Sequence, residues 1–130
     1  MLRIMLIGLA GFAGTLCRYA LAGAVERRYG EAFPVGTLAV NLLGCVLAGF
    51  LFSAFEGRHL VGETARAALF VGLLGGFTTF SAYGLQTFTL LRGGEFFYAA
   101  TNVVLSNLLG LLSVCGGYAL GRLLLGGAGR

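Results

Sequence analysis

Polar residues are distributed segmentally along this chain. Four long apolar stretches, residues 2–24, 34–55, 66–91 and 96–125, are separated by short connections that hold most of the charge. Each stretch exceeds the roughly 20 residues that a helix needs to cross the hydrocarbon of a bilayer. The pattern predicts an all-α protein with four transmembrane helices in one domain spanning residues 1–130. The first stretch is glycine-rich and is followed by similar runs, so it is expected to stay in the mature protein rather than act as a cleaved signal peptide.

One stretch disturbs the pattern from within. Gly75-Gly76-Phe77-Thr78-Thr79-Phe80-Ser81-Ala82-Tyr83 places two adjacent glycines and the three aliphatic hydroxyls of Thr78, Thr79 and Ser81 in the middle of the third run. Each glycine weakens a helix by roughly 1 kcal/mol relative to alanine. Backbone freed from helical bonding at membrane depth is tolerated only where protein buries it or a polar cavity receives it. Two readings are open. The helix is broken near residues 75–79 and its freed amides and carbonyls serve an ion, or it is continuous and the glycines let a neighbouring helix approach.

The other crossings carry polar residues in register. Gly11, Gly14 and Arg18 share one face of the first helix. A membrane arginine pairs, snorkels or marks an ion path, so Arg18 either draws anions into a vestibule or ties helix ends together. In the second helix Asn41 stands with Gly44 and Ala48 below it. An interhelical hydrogen bond is the plainer reading, and a pore-lining donor that replaces water on an anion is the sharper one. Thr79, Tyr83 and Gln86 form a polar stripe past the proposed break. In the fourth helix Tyr98, Asn102, Ser106 and Ser113 fall in one narrow arc, with Asn107 pointing elsewhere. A run that long favours a polar track over simple helix glue. Gly110, Gly117 and Gly121 offer close-packing positions toward the far end.

Composition agrees with a membrane protein: of 130 residues 58% are hydrophobic and 11% charged. The net charge of +4 comes from nine arginines against five glutamates. These charges lie mostly in the connections, which points to lipid headgroups rather than nucleic acid. If all four runs cross, Arg3, Arg58, Arg66, Arg122 and Arg130 lie on one side and Arg27, Arg28 and Arg92 on the other. So weak a bias lets a chain insert both ways. The connection 25–33 reads as a charged surface turn, and Pro34 as the start of the second helix, where a missing N–H is harmless. Cys17, Cys45 and Cys115 have no metal-ligand spacing and read as small buried hydrophobes. His59 stands alone in a connection and reads as solvated. No Ser/His/Asp set, metal cluster or phosphate-binding loop is discernible, so no enzyme activity is expected.

Three motifs together carry a resemblance. Gly11-Phe12-Ala13-Gly14-Thr15-Leu16-Cys17-Arg18-Tyr19, Gly36-Thr37-Leu38-Ala39-Val40-Asn41-Leu42-Leu43-Gly44 and Gly75-Gly76-Phe77-Thr78-Thr79-Phe80-Ser81 resemble the Fluc (CrcB) fluoride channels over essentially the whole chain. The resemblance implies a passive, fluoride-selective exporter in the cell (inner, plasma) membrane. It implies an antiparallel, dual-topology homodimer with two pores and a structural sodium ion at its centre, which the weak arginine bias accommodates. By the same analogy the backbone carbonyls of Gly75 and Thr78 hold the sodium. Asn41 donates to fluoride, Arg18 sits near a vestibule, and Phe80 turns its positive ring edge toward the ion. Thr79, Tyr83, Asn102 and Ser106 complete the pathway. Two positions depart from the usual pattern: Tyr83 replaces a second phenylalanine, and Asn102 stands where a tyrosine is frequent. A phenol at position 83 can hydrogen-bond the anion and is expected to slow its exit.

Two other classes fit the size. A small dual-topology exporter of organic cations needs an ionisable carboxylate within the membrane, whereas the glutamates here lie in connections or at helix ends. A non-transporting scaffold subunit would use the polar stripes for packing alone.

Overall fold

The computed structural model describes residues 1–30, 32–56 and 61–125. Four helical crossings follow one another: α1 (Leu2–Tyr29), α2 (Val35–Phe55), α3 (Glu63–Arg92) and α4 (Phe96–Leu125). All four are long and apolar enough to span a membrane. The all-α expectation therefore holds, and the protein is a multi-pass membrane protein. His59, Arg58, Glu31 and Arg130 lie outside the described residues.

The first helix is longer than its apolar run. It continues through Glu26, Arg27 and Arg28 to Tyr29 and stops only at Gly30, whose φ of 83° suits glycine. Charge did not end it because Val25–Tyr29 contains neither glycine nor proline. Pro34 is the N-cap of α2 rather than its first helical residue.

Two seams of close backbone approach organise the bundle. Along α1 and the first half of α3, a β-carbon on Gly76 would strike the Gly11 carbonyl, and one on Gly14 would strike the Leu73 carbonyl. Gly72 packs on Ile7, where an added β-carbon would lie 2.6 Å from the carbonyl oxygen. The second seam joins α2 to α4 over much of their length. There Gly49 meets the Val114 carbonyl, Gly117 meets the Val46 carbonyl, and Gly121 meets Ser53. Membrane helices gain little from burying apolar surface against one another, so van der Waals contact between backbones is what small residues supply.

Few side chains are fully enclosed. Val40, Leu74, Phe77 and Ala99 form the apolar centre, and Asn102 is 2% exposed beside them. Cys17 and Cys115 are exposed and Cys45 is half-buried, which corrects the reading of all three as buried. The cause is the outward apolar surface of α1 and α4, where Leu9, Phe12, Leu16, Leu108, Leu111 and Leu112 are also exposed. A bilayer receives such surface without penalty, so a membrane helix need not turn its cysteines inward.

Candidate functional site

The third crossing is discontinuous. Glu63–Ala67 is α-helical, Ala68–Leu74 is wound as a π-helix, and Gly75–Phe77 completes the first arm. Thr78 (φ −87°, ψ 160°) and Thr79 (φ −149°, ψ 115°) are extended, and Phe80–Arg92 forms the second arm. The threonines, not the glycines, make the interruption. Gly75 and Gly76 remain helical, and Gly76 fulfils the close-contact reading against Gly11. The break of the first reading and the close glycine contact of the second thus occur a few residues apart, and the uninterrupted helix of the second is corrected. π-Helical turns are rare and concentrate at functional sites; no glycine pattern announced this one.

Side chains from two other helices satisfy the backbone freed at the interruption. The Thr79 N–H donates to Asn41 Oδ1 (2.8 Å), and Asn41 Nδ2 donates back to the Thr79 carbonyl (3.1 Å). Arg18 Nε donates to the Gly76 carbonyl (3.1 Å), with Thr15 Oγ1 more distant at 3.5 Å. Thr79 Oγ1 caps the second arm by accepting from the Ala82 N–H (3.2 Å), a contribution of about 1 kcal/mol. Thr78 Oγ1 donates to the Leu74 carbonyl (2.9 Å). None of these bonds ends on the carbonyl of Gly75 or of Thr78. Gly75 is exposed and Thr78 half-buried, and both line a recess with Gly44, Cys45, Ala48, Phe70 and Leu74.

A cavity of about 470 Å³ lies on the other side of the interruption, lined among others by Arg18, Glu26, Arg27, Thr37, Val40 and Thr79. Arg18 therefore both ties α1 to the interrupted helix and faces a polar recess. The bond to α3 is what the structural reading of this arginine asks for, and a place on the cavity wall is what the vestibule reading requires.

Past the interruption a polar network joins the second arm of α3 to α4. Ser106 Oγ donates to Asn102 Oδ1 (3.4 Å), Asn102 Nδ2 donates to Thr87 Oγ1 (2.9 Å), and Thr87 Oγ1 donates to the Tyr83 carbonyl (2.8 Å). The Phe80 and Tyr83 rings lie 5.3 Å apart, tilted by 49°. Phe80 is 82% exposed and touches little else in its own chain. Asn107, set apart from the stripe by its helical angle, nevertheless reaches α3. Its Nδ2 donates to the Tyr83 hydroxyl (3.4 Å) and to the Val103 carbonyl (2.8 Å). Helical-wheel angles treat every residue as a short spoke and missed it, because a tyrosine on the facing arm spans the gap.

The structure thus gathers Arg18, Asn41, Gly75, Thr78 and Thr79 at the interruption, and Tyr83, Asn102 and Ser106 along the α3–α4 seam, with Phe80 resting on Tyr83 and otherwise exposed. Gln86 lies apart from the Asn102 chain, with Oε1 buried and unpartnered beside a second cavity that also holds Glu26. Among the described residues no group of His, Cys, Asp and Glu could hold a metal.

This arrangement defines a class: a small multi-pass membrane protein whose discontinuous third helix presents main-chain polar groups at mid-crossing. The family described as CrcB-like protein, Camphor Resistance (CrcB), matches residues 5–118. A relative from Desulforapulum autotrophicum, named fluoride-specific ion channel FluC, is 46% identical over 94% of this chain and 98% of its own. Relatives of the same name from Opitutus terrae (50% identical over 83% of each chain) and Aquifex aeolicus (40% identical over 92% of this chain and 96% of its own) are similar to it. The chain belongs to the CrcB family.

Proposed function

We propose that this protein is a fluoride-selective channel, not an enzyme, which lets fluoride leave the cytoplasm passively across the inner (plasma) membrane. The observation that carries the reading is the interrupted third crossing, whose peptide groups are held in place by Asn41 and Arg18 beside a polar cavity. Fluoride is a small, strongly hydrated anion. A selective path must replace its water with fixed donors while binding weakly enough to release it.

In this reading Arg18 draws the anion into the vestibule it lines. Asn41 keeps one Nδ2 hydrogen beyond the one given to Thr79, and that hydrogen serves the ion. Thr79 borders the same cavity, and Phe80 presents its positive ring edge. Tyr83, Asn102 and Ser106 continue the path along α4. An inverted second copy of the chain, giving an antiparallel homodimer with two pores, would cover the bare Phe80 ring and the exposed Gly75 face. Surrounding lipid would cover the rest.

The donor set at the Gly75–Thr78 recess suits a structural sodium ion. Neutral carbonyl oxygens with no side-chain donor aimed at them match a hard cation, and such an ion would offset the penalty of leaving them unpaired in an apolar core. A second copy would double the number of carbonyls offered.

Purified protein in vesicles loaded with potassium fluoride provides the test. Valinomycin-driven fluoride efflux with no chloride efflux is the expected result. Drug-driven proton movement would instead support a cation exporter, and silence in both assays a scaffold subunit. Reporters fused to the C-terminus and scored on each side of the membrane test the inverted pairing; a single orientation would refute it.

A further inference from the structure

Asn107 and Tyr83 form a contact that the pathway just described leaves unused. We propose that Asn107 is a positioning residue, which holds the Tyr83 phenol so that its O–H proton, rather than an oxygen lone pair, faces a passing anion. The proposal rests on the fluoride reading above and adds a residue and a specificity device to it.

The hydrogen-bond inventory of the two side chains carries the argument. An amide nitrogen has two hydrogens, and both of Asn107's are committed. One goes to the Val103 carbonyl at 2.8 Å, within its own helix, and fixes the amide plane; the other goes to Tyr83 Oη at 3.4 Å. A phenol that accepts on its lone pair has its single proton left to give. Accepting also polarises the O–H and makes it a stronger donor. A lone pair turned toward fluoride would repel it, so the orientation imposed by Asn107 decides the sign of the interaction.

The same bond sets the ring. Tyr83 leans on Phe80 at 5.3 Å and 49°, and Phe80 is otherwise 82% exposed. Fixing the hydroxyl end of Tyr83 therefore fixes the tilt of the surface on which Phe80 rests. The neighbouring Asn102–Thr87 bond runs between the same two helix segments, so α3 and α4 are already held in the register that this contact needs.

Vesicle flux by Asn107→Leu, Tyr83→Phe and the double variant tests the proposal. Losing one donor bond to the ion should speed exit, raising both maximal flux and the half-saturating fluoride concentration on the order of fivefold. Both single variants should show it, and the double variant should add nothing. Unchanged or slower flux in Asn107→Leu, or effects that multiply independently, would overturn it. A purely structural Asn107 would lower the melting temperature without moving half-saturation, and that outcome also counts against it. If Asn107→Leu does not fold, Asn107→Ser replaces it, being polar but too short to reach Tyr83. Wild-type vesicles that pass no fluoride would refute the channel reading itself, a separate result.

Discussion

The side-chain amide of Asn41 pairs with both backbone polar groups of Thr79, donating to its carbonyl at 3.1 Å and accepting from its N–H at 2.8 Å. An amide that meets one residue's N–H and carbonyl in this way replaces the two helical bonds that an extended residue gives up. It lets α2 stabilise the discontinuity in α3 without any charged group. Asn41→Ala should therefore destabilise the purified protein by about 1–3 kcal/mol, because a partly buried N–H and carbonyl lose their partners. Thermal unfolding in detergent measures it, and a shift within error would show that water replaces the amide. Asn41→Asp can still accept from Thr79 but cannot donate, and it sets a negative charge beside the path. It should abolish fluoride flux while the protein remains folded.

The seam between α1 and α3 makes a sharper contrast. Gly76→Ala drives a methyl into the Gly11 carbonyl, and Gly14→Ala drives one into the Leu73 carbonyl, where only backbone could move. Each should lower stability by roughly 1–3 kcal/mol or more, the range for overpacking a tight interior. Gly8→Ala on the same helix meets nothing within 4 Å and should be neutral. Melting of the three variants side by side checks this, and equal behaviour would refute the seam.

Sodium offers a prediction that needs no substitution. If the carbonyls of Gly75 and Thr78 hold the ion, the protein should melt at a higher temperature in sodium chloride than in N-methylglucamine chloride of the same ionic strength. Thr78→Val retains the main-chain oxygen and should keep that dependence, although it loses the bond from Oγ1 to Leu74. Identical melting in the two salts would remove sodium from the proposal.

Asn102 is almost wholly enclosed and links Ser106 to Thr87. Asn102→Leu fills the same space but leaves both hydroxyls short of a partner, so a loss of about 1–2 kcal/mol is expected. Asn102→Leu combined with Thr87→Val removes two members of the network together and should recover part of that loss. A double-mutant cycle on unfolding free energy would show it, and strict additivity would contradict the network.

The crossings were legible from sequence because apolar run length is set by the bilayer and depends little on tertiary context. The discontinuity was legible too, since Gly75-Gly76 and Thr78-Thr79 are poor company for an uninterrupted helix. Which pair interrupts it was not. That depended on Asn41 lying opposite Thr79 and on Gly11 claiming Gly76 as a packing surface, and both are relations between helices. The helical extension to Tyr29 is not legible in the apolar run, because charge does not stop a helix and only Gly30 supplies a stop. Asn107 was missed because a face drawn on one helix takes no account of how far a neighbour's side chain reaches. Cys17 and Cys115 were misplaced because apolar surroundings in a membrane protein include lipid as well as protein.

Arg18 forms no ion pair among the described residues; its guanidinium donates instead to the neutral carbonyl of Gly76. A carbonyl offers a partial dipole rather than a full negative charge, so it holds the guanidinium in place without cancelling its field. The cavity that Arg18 lines therefore carries this side chain's charge with no carboxylate bonded to it among the described residues, where a salt-bridged arginine would present a nearly neutral pair.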